Sequence, residues 1–366
     1  MAPAPFGKED DRMTLHIERH PDFSRLRKAL MCQGEADRVP FIELGVHRMF
    51  KEQIIGHSCL TVPDEIEFAQ RAGYDYIKIQ PVIDMNPGKI YPAGGPQTFT
   101  LGVDTGERRW ADEHGGAINS WEDFERYVWA RPEDVNYSRL EEAARILPPD
   151  IGLIGQYGDI FTFVWTLMGF ENFSLAIYEQ PDLIDALFER VGGIICNLFE
   201  NMASMERMDA MWFSDDLAYT GGLMISPNLF RKHLFPWVKK IGDFCRRRGI
   251  PFLYHSDGKL WEVIDDLIVC GVTALHPIEP KAMDIAEVKR RYAGRLAVLG
   301  NVEVDLLSRG STEDVEAQVR AILRRAAPGG GFALGSSNSV PEYVKPENYA
   351  AMLNAGDRWG IYPIEM

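Results

Sequence analysis

The sequence has few cysteines, and none of them stands in a paired motif. No C-x-x-C occurs, and the chain contains only five cysteines, namely Cys32, Cys59, Cys196, Cys245 and Cys270. An odd number of cysteines without such a pair argues against both a disulfide framework and a zinc ribbon. We therefore expect a reducing compartment and predict the cytoplasm.

Long apolar runs and an excess of basic residues are also missing. Runs such as 210–213 and 267–269 are far shorter than the roughly 20 residues that span a bilayer, and residues 1–11 show no apolar signal segment. The formal net charge of −15 is unsuited to nucleic acid or an anionic membrane, which attract basic surfaces. We expect neither partner.

Three common motifs of chemistry are absent as well. The sequence contains no G-x-G-x-x-G after a strand, no P-loop and no G-x-S-x-G, so dinucleotide binding and a serine nucleophile lack support. None of the cysteines follows a strand, which leaves no thiol placed as a nucleophile. The chemistry is therefore expected from carboxylates and histidine.

Eight short β-rich runs are present in a chain of 366 residues, of which 46% are hydrophobic. Several are nearly continuous apolar runs that end in polar residues, a pattern typical of buried parallel strands. The predicted strands are residues 39–45, 74–80, 152–158, 210–216, 251–258, 274–280, 296–303 and 331–339.

Amphipathic helical patterns lie between these runs. The predicted helices are residues 63–72, 181–205, 227–248, 260–269, 285–292, 312–326 and 345–358, and Ser311 with Asp314 resembles a capping box at the start of one of them. Strands that alternate with helices predict an α/β fold, and eight such strands favour a (β/α)8 TIM barrel in a single domain over residues 1–366. A doubly wound open sheet is the alternative, and residues 1–21 are interpreted as an N-terminal extension.

One long interruption separates the second and third predicted strands. Within residues 81–150 we predict a β-hairpin over 97–119, with a turn at Asp104-Thr105-Gly106, followed by helices near 121–129 and 137–147. We interpret this stretch as an insertion at the barrel mouth. It is either a lid over the site or a decoration on the side of the barrel.

Polar side chains follow most of the predicted strands. In a parallel barrel the carboxyl ends of the strands share one face, so these side chains are expected to meet there. The candidates are Glu43, His47, Gln80, Asp84, Gln156, Tyr157, Asp159, Asp215, Asp216, His255, Asp257, Glu279, Asn301, Glu303, Ser336 and Asn338.

His255 and Asp257 form the sharpest local pattern. Residues two apart on a strand face the same side, so both side chains can reach one cation, and Glu279 at the end of the next strand can add a third ligand. The alternative is that Asp257 only orients His255 or caps the following helix. For the neighbouring pair Asp215-Asp216, we expect one carboxylate to face a substrate while the other caps or pairs.

Five motifs in order resemble the uroporphyrinogen decarboxylase superfamily. They are the stretches RVPF at 38–41, MWFSDD at 211–216, FLYHSDG at 252–258, LGNVE at 299–303 and GFALGS at 331–336. The resemblance covers roughly residues 22–362 and implies a (β/α)8 barrel.

Two activities are known in that superfamily. The decarboxylases use no cofactor and carry an arginine-rich R-Q-A-G-R segment after the first strand. The corresponding stretch here runs from Glu43 to Arg48 and has Arg48 as its only basic residue. A G-H-G segment near the end of the decarboxylases corresponds to Gly335-Ser336-Ser337. These departures favour the other branch.

That other branch consists of methyltransferases that exchange methyl groups with a corrinoid protein or a thiol. They bind zinc through H-x-C and a later cysteine, positions that correspond to His255, Asp257 and Ser336 here. In the related cobalamin-independent methionine synthases a glutamate resembling Glu279 also binds zinc. The resemblance thus implies a possible zinc site at His255, Asp257 and Glu279.

We therefore expect an enzyme that takes a methyl group from a small methylated compound and passes it to a corrinoid protein or a thiol. Asp215, Asp216, His255 and Glu43 are the predicted catalytic residues, and acid assistance to the leaving group is the role of the carboxyls. The predicted substrate-binding residues are His47, Gln156, Tyr157, Asn301 and Asn338. The alternatives are a decarboxylase that needs no cofactor and a non-catalytic barrel that binds a corrinoid or a partner protein.

Overall fold

A computed structural model describes residue 13, residues 15–85 and residues 116–365 of the chain. The turn of the predicted hairpin, Asp104-Thr105-Gly106, lies outside the described residues, as does most of the hairpin. The helices predicted after it are present as Trp121–Arg126 and Ser138–Ile146. The role of residues 81–150 as an insertion stays a prediction.

Nine short strands occur in the described part. They are β1 (Tyr76–Ile79), β2 (Gly152–Gly158), β3 (Ala210–Ser214), β4 (Ala218–Tyr219), β5 (Gly222–Leu223), β6 (Phe252–His255), β7 (Ala274–His276), β8 (Ala297–Leu299) and β9 (Phe332–Ala333). Seven of them, all except β4 and β5, belong to one seven-stranded sheet. The predicted α/β class is confirmed, whereas closure into a barrel stays a prediction.

Fifteen α-helices are described alongside these strands, together with a 3-10 turn at Pro132–Asp134. They are α1 (Phe23–Leu30), α2 (Arg48–Ile55), α3 (Val62–Ala72), α4 (Trp121–Arg126), α5 (Ser138–Ile146), α6 (Ile160–Met168), α7 (Phe170–Glu179), α8 (Pro181–Ser204), α9 (Pro227–His233), α10 (Phe235–Arg248), α11 (Ile264–Val269), α12 (Ile285–Arg291), α13 (Val304–Arg309), α14 (Thr312–Ala326) and α15 (Pro346–Trp359).

The chain divides into two compact units, each built from separate stretches of sequence. Unit 1 comprises residues 1–78, 145–154 and 273–366, and unit 2 comprises residues 79–144 and 155–272. The predicted single-domain organisation is not decided by this division and stays a prediction.

Unit 1 contains a run of parallel strands at its centre. β8 pairs in parallel with β7 and with β9, and all of the residues of β7, β8 and β9 are buried. Helices α14 and α15 pack against each other in the same unit. α14 begins with the predicted capping box, in which Ser311 and Asp314 each accept a hydrogen bond from the other residue's backbone N–H.

Unit 2 is organised around the parallel pair β3 and β6. Their register places Ser214 opposite His255, and the strands are buried along their whole length. The long helix α8 packs against α6 and α10 in this unit. Directly after β3 the chain forms a short antiparallel hairpin from β4 and β5, which the sequence patterns did not predict.

The first predicted strand, 39–45, is not a regular strand in the structure. Its backbone makes single bridges instead, with Phe41 beside Leu334 and Val46 beside Val340. Ile42 N donates to Leu334 O, and Leu334 N donates to Pro40 O. Since proline has no N–H to contribute to a ladder, Pro40 limits the pairing of this segment.

The predicted helix over 227–248 is in fact two helices, α9 and α10, which meet at Leu234. Pro236 lies in the first turn of α10, where its missing N–H costs nothing. In the interior of one continuous helix the same proline would remove a hydrogen bond and clash with the preceding turn. The apolar periodicity continues across the break, which is why the pattern predicted one element.

Within the part of the chain that the structure describes, no individual helix combines the length and apolar character needed to cross a membrane. α6 and α7 satisfy these criteria only when they are counted as a pair, and the pair bends by 93° at its break.

Candidate functional site

Three side chains of unit 2 converge where β3 and β6 end. Asp216 follows β3, whereas His255 is the last residue of β6 and Asp257 comes two residues later. One ligand atom from each residue lies within 4.8 Å of the others, an arrangement that can hold a metal ion. We refer to Asp216, His255 and Asp257 as the acid–histidine cluster.

The register of the two strands explains this convergence. Ser214 is paired with His255, and Asp215 N donates to His255 O at 3.0 Å, so the residue after Asp215 leaves the sheet beside the histidine. Asp216 Oδ1 lies 3.7 Å from His255 Nε2 and accepts the backbone N–H of Asp257 at 2.9 Å. The predicted pairing of His255 with Asp257 is thus observed, with Asp216 as a third member.

Ser256 holds the backbone between the two strands. Its hydroxyl donates to Asp257 O and accepts the N–H of Leu217, both at 2.9 Å, and the side chain is fully buried. Gly258 then adopts a positive φ of 90°, and a side chain there would lie 2.5 Å from the carbonyl of Ala218. The motif His255-Ser256-Asp257-Gly258 is therefore a tight turn as well as a source of ligands.

The adjacent carboxylates Asp215 and Asp216 have different environments. Asp215 is buried and accepts hydrogen bonds from Phe161 N, Thr162 N and Thr162 Oγ1, at 2.6, 2.9 and 2.8 Å. The side chain of Asp216 is 48% exposed. Asp215 is thus the capping carboxylate, and the expectation that Asp216 faces a substrate stays a prediction.

This environment changes the interpretation of Asp215 as a proton donor. Burial raises its pKa to about 7, while the donors from Phe161 and Thr162 oppose the shift and the charge of Asp216 adds to it. Both of its oxygens are engaged with the start of α6. Asp215 therefore anchors a helix, and the catalytic roles predicted for Asp215 and Asp216 stay predictions.

Two further candidates lie on β2, beside β3. Gln156 is buried, and its Nε2 donates to Ser214 Oγ at 2.9 Å, so its amide supports β3. Tyr157 is buried too, and burial raises the pKa of its hydroxyl. Their predicted role as substrate-binding residues stays a prediction.

Unit 1 contains a second group of polar side chains, centred on Glu43. Phe41 and Leu334 are bridged in parallel, so the residues two positions later, Glu43 and Ser336, also face each other. Ser336 N donates to Glu43 Oε1 at 2.8 Å, and Ser336 Oγ lies 2.5 Å from Glu43 Oε2. Both side chains are buried.

The surroundings of Glu43 favour its protonated form. Burial raises its pKa to about 8, while the two hydrogen bonds from Ser336 and the charge of Lys78 oppose the shift. The Ser336 hydroxyl donates to Glu43 Oε2; once Glu43 is protonated, Oε2 can donate instead, because the Ser336 hydroxyl can then donate to Asn338 O at 3.1 Å. The backbone N–H and the hydroxyl of Ser336 are thus both engaged with Glu43.

The remaining candidates of unit 1 have local partners. His47 caps α2, with Nδ1 accepting the N–H of Met49 at 3.3 Å. Asn301 is buried, and its Nδ2 donates to Ile278 O at 2.8 Å. Asn338 Oδ1 accepts the N–H of Ser339. Glu279 follows β7 and belongs to unit 1, so its proposed place among the metal ligands stays a prediction.

The sequence patterns missed two relationships in these groups. They placed Glu43 and Ser336, which are 293 positions apart, on the same face of the barrel but did not identify them as direct hydrogen-bond partners. They also assigned Asp216 to proton donation or substrate binding and did not include it with His255 among the metal ligands. The signal for its place beside His255 was available, since both residues were predicted to end strands of the same face.

Comparison with known proteins identifies the family. Residues 95–359 match the family described as uroporphyrinogen decarboxylase (URO-D), and this match covers well over half of the chain. The chain belongs to the uroporphyrinogen decarboxylase family. This result confirms the resemblance drawn from the sequence motifs.

Curated relatives within the family match only part of the chain. The uroporphyrinogen decarboxylase of Shewanella pealeana is 23% identical over 222 residues, which is 58% of this chain and 60% of that protein. The enzyme of Aeromonas salmonicida is 22% identical over 252 residues, or 65% and 68%. The chain thus spans about 60% of the length of the first of these relatives.

A solved structure of a methyltransferase from Methanosarcina mazei is similar to the chain over a longer stretch. The TM-score is 0.63 at 18% sequence identity, and the match covers 92% of this chain and 98% of that protein. At this level of identity the likeness shows that the two proteins share a fold.

Proposed function

We propose that this member of the uroporphyrinogen decarboxylase family is a methyltransferase that moves a methyl group from a small methylated compound to a corrinoid protein or a thiol. The observation that carries the proposal is the acid–histidine cluster, whose ligand atoms lie within 4.8 Å of one another. A decarboxylase that uses no cofactor has no need for such a cluster. A metal-dependent methyltransferase does.

The residues present fit a divalent cation. One imidazole nitrogen and two carboxylate oxygens are ligands that zinc accepts, and two negative charges balance its charge. His255 is buried, whereas the side chain of Asp216 is half exposed, so the cluster has a fixed inner side and an accessible outer side. The set contains no thiolate and is therefore harder than the two-cysteine set of related methyltransferases.

Each residue has a distinct role in this proposal. His255 and Asp257 would hold the cation, and Asp216 would complete the set while its hydrogen bond from Asp257 N keeps the two loops together. A bound zinc ion would supply Lewis acidity, which lowers the pKa of a coordinated thiol and polarises a leaving group.

The reaction also needs a proton. The methyl group leaves its donor without the bonding electron pair, which stays on the leaving oxygen, nitrogen or sulfur, and that atom takes up a proton. A carboxylic acid suits this role, and Glu43, whose pKa is raised to about 8 by burial, is among the residues predicted to be catalytic.

The decisive experiment combines metal analysis with an activity assay. Wild-type protein, His255→Ala and the control His233→Ala are purified without a metal-chelating tag, and zinc is measured by plasma mass spectrometry. Methyl transfer from a panel of methylated amines, ethers and thiols to free cob(I)alamin is followed by absorbance. His233 is a buried histidine of unit 2 that stacks on Phe188, away from the cluster.

We expect near-stoichiometric zinc and methyl transfer in the wild type and in His233→Ala, and loss of both in His255→Ala. Full transfer activity in His255→Ala would disprove the assignment. Protein without metal in all three preparations, together with conversion of uroporphyrinogen, would instead support a decarboxylase, the activity named for the curated relatives. A non-catalytic barrel would be favoured by a third outcome. In that case the protein binds a corrinoid tightly, and alanine substitutions at His255, Asp257 and Asp216 leave the affinity unchanged.

A further inference from the structure

A cavity lies behind Glu43, within unit 1. It has a volume of about 60 Å³, and α2, α3 and β1 contribute to its wall. Its lining combines the polar or charged side chains of Glu43, Lys51, Glu65, Tyr74, Tyr76 and Lys78 with the apolar side chains of Val46, Phe68 and Ile77. None of these residues belongs to the acid–histidine cluster.

The size and lining of the cavity suit water. A water molecule needs roughly 10–15 Å³ of such volume and two or more polar partners, so the cavity has room for about four. Apolar cavities stay dry, but this one offers a carboxyl, a hydroxyl and an ion pair. Tyr76 fixes part of the wall, because its hydroxyl accepts Glu43 N at 2.8 Å and donates to Glu43 O at 3.1 Å.

The cavity has a buried end and an outer end. Glu43, at the buried end, is 3% exposed. At the outer end, Lys51 on α2 and Glu65 on α3 form an ion pair at 2.8 Å, with side chains 14% and 15% exposed. The pair connects the two helices, and both of its residues line the cavity.

The other described neighbours of Glu43 are hydrogen-bonded or buried. Ser336 engages both carboxyl oxygens on one side. Tyr74 and Tyr349, whose hydroxyls are hydrogen-bonded to each other at 2.8 Å, are buried nearby, and Lys78 is the cation whose charge acts on Glu43. A buried acid that is to be reprotonated needs contact with water, and the cavity supplies it.

We propose that this cavity is a water-filled inlet through which Glu43 exchanges its proton with solvent, and that the Lys51–Glu65 pair gates its outer end. The exchange replaces one O–H proton by another from water and requires no further reactant. The proposal concerns the carboxyl of Glu43 itself and holds whether or not the protein transfers methyl groups.

The test measures proton exchange at Glu43 directly. The protonated carboxyl band is identified in the infrared difference spectrum between wild type and Glu43→Gln at mildly acidic pH, and its shift is followed after rapid mixing with D2O. Val46→Leu and Val46→Phe narrow the cavity, since Val46 lines it. Val340→Leu is the matched control, because Val340 is bridged to Val46 and is fully buried but does not line the cavity.

We expect proton exchange to slow by about tenfold in the Val46 variants, because added side-chain volume displaces the waters that carry the proton. In Val340→Leu the exchange rate should equal that of the wild type.

Removal of the gate by Lys51→Ala with Glu65→Ala is expected to speed proton exchange. Removal of the neighbouring pair Glu67–Arg71 on α3, joined at 2.6 Å, is the control and is expected to leave the rate unchanged.

The gate variants keep the proposal testable if the Val46 variants fail to fold. Wild-type exchange rates in folded Val46→Leu and in the gate variant would overturn the inlet. Slower exchange in Val340→Leu to the same extent as in Val46→Leu would overturn it too, because the effect would then be a general response of the core.

Discussion

Asp216 Oδ1 lies 3.7 Å from His255 Nε2 while it accepts the backbone N–H of Asp257. A single carboxylate oxygen thus holds the loop after β3 against the loop after β6. Because the hydrogen bond comes from the backbone, it persists if the side chain loses its charge. The metal-binding and the structural contributions of Asp216 can therefore be separated by experiment.

Asp216→Asn is expected to weaken metal binding without unfolding the protein. The amide oxygen can still accept from Asp257 N, and the half-exposed side chain leaves the core intact, so the free energy of unfolding should change by less than about 0.5 kcal/mol. The loss of one anionic ligand should lower zinc affinity at least tenfold, measured by calorimetric titration. Asp266→Asn, an acid of unit 2 that pairs with Arg231, is the control, and equal zinc affinity in both variants would contradict the prediction.

Asp215→Asn is expected to give the opposite result, namely lower stability with zinc affinity retained. An amide has one acceptor oxygen, and its NH2 group would face the N–H of Phe161 or Thr162 in a buried site. An unpaired buried donor costs about 1–3 kcal/mol. Urea unfolding would show this loss, whereas wild-type stability in Asp215→Asn would exclude the anchoring role.

The stability of the protein should fall as pH rises through the range in which Glu43 ionises. Its folded pKa is raised to about 8 from an ordinary value of 4.5, so the folded state binds the proton more tightly than the unfolded state. Glu43 therefore favours folding below pH 4.5, and this advantage is lost progressively up to about pH 8.

Glu43→Gln mimics the neutral acid and should remove this part of the pH dependence. Its amide can accept from Ser336 N and donate to Ser336 Oγ, as the protonated acid does. Melting temperatures measured from pH 5 to 9 should decline less steeply in the variant than in the wild type. Identical slopes would mean that Glu43 is ionised in the folded protein throughout that range.

The sequence patterns predicted helices and strands well where their position depends on neighbouring residues. The strand at 152–158 has the predicted bounds, and the capping box at Ser311 sets the start of α14 where it was expected. The i, i+2 spacing of His255 and Asp257 correctly predicted that they would converge. In each case the physical cause lies within a few residues.

The remaining features depend on contacts that are distant in sequence. The hydrogen bonds between Glu43 and Ser336 require the bridge between Phe41 and Leu334. No sequence pattern within a few residues of either segment indicates this bridge. The division of roles between Asp215 and Asp216 depends on α6, a helix that is absent from the predicted elements and whose N-terminus Asp215 caps.

A glycine behind the cluster provides the last prediction. A side chain at Gly158, the final residue of β2, would place its Cβ 1.8 Å from the carbonyl oxygen of Ser214 on β3. Backbone cannot move aside as a flexible side chain can, so Gly158→Ala should separate the two strands and lower the free energy of unfolding by about 1–3 kcal/mol or more.

Gly193→Ala is the matched control, because this helical glycine of α8 has open space around it. The control should gain about 0.5–1 kcal/mol from the higher helix propensity of alanine. Equal unfolding free energies for the two variants would show that β2 and β3 can separate without loss, in which case their close approach does not position the acid–histidine cluster.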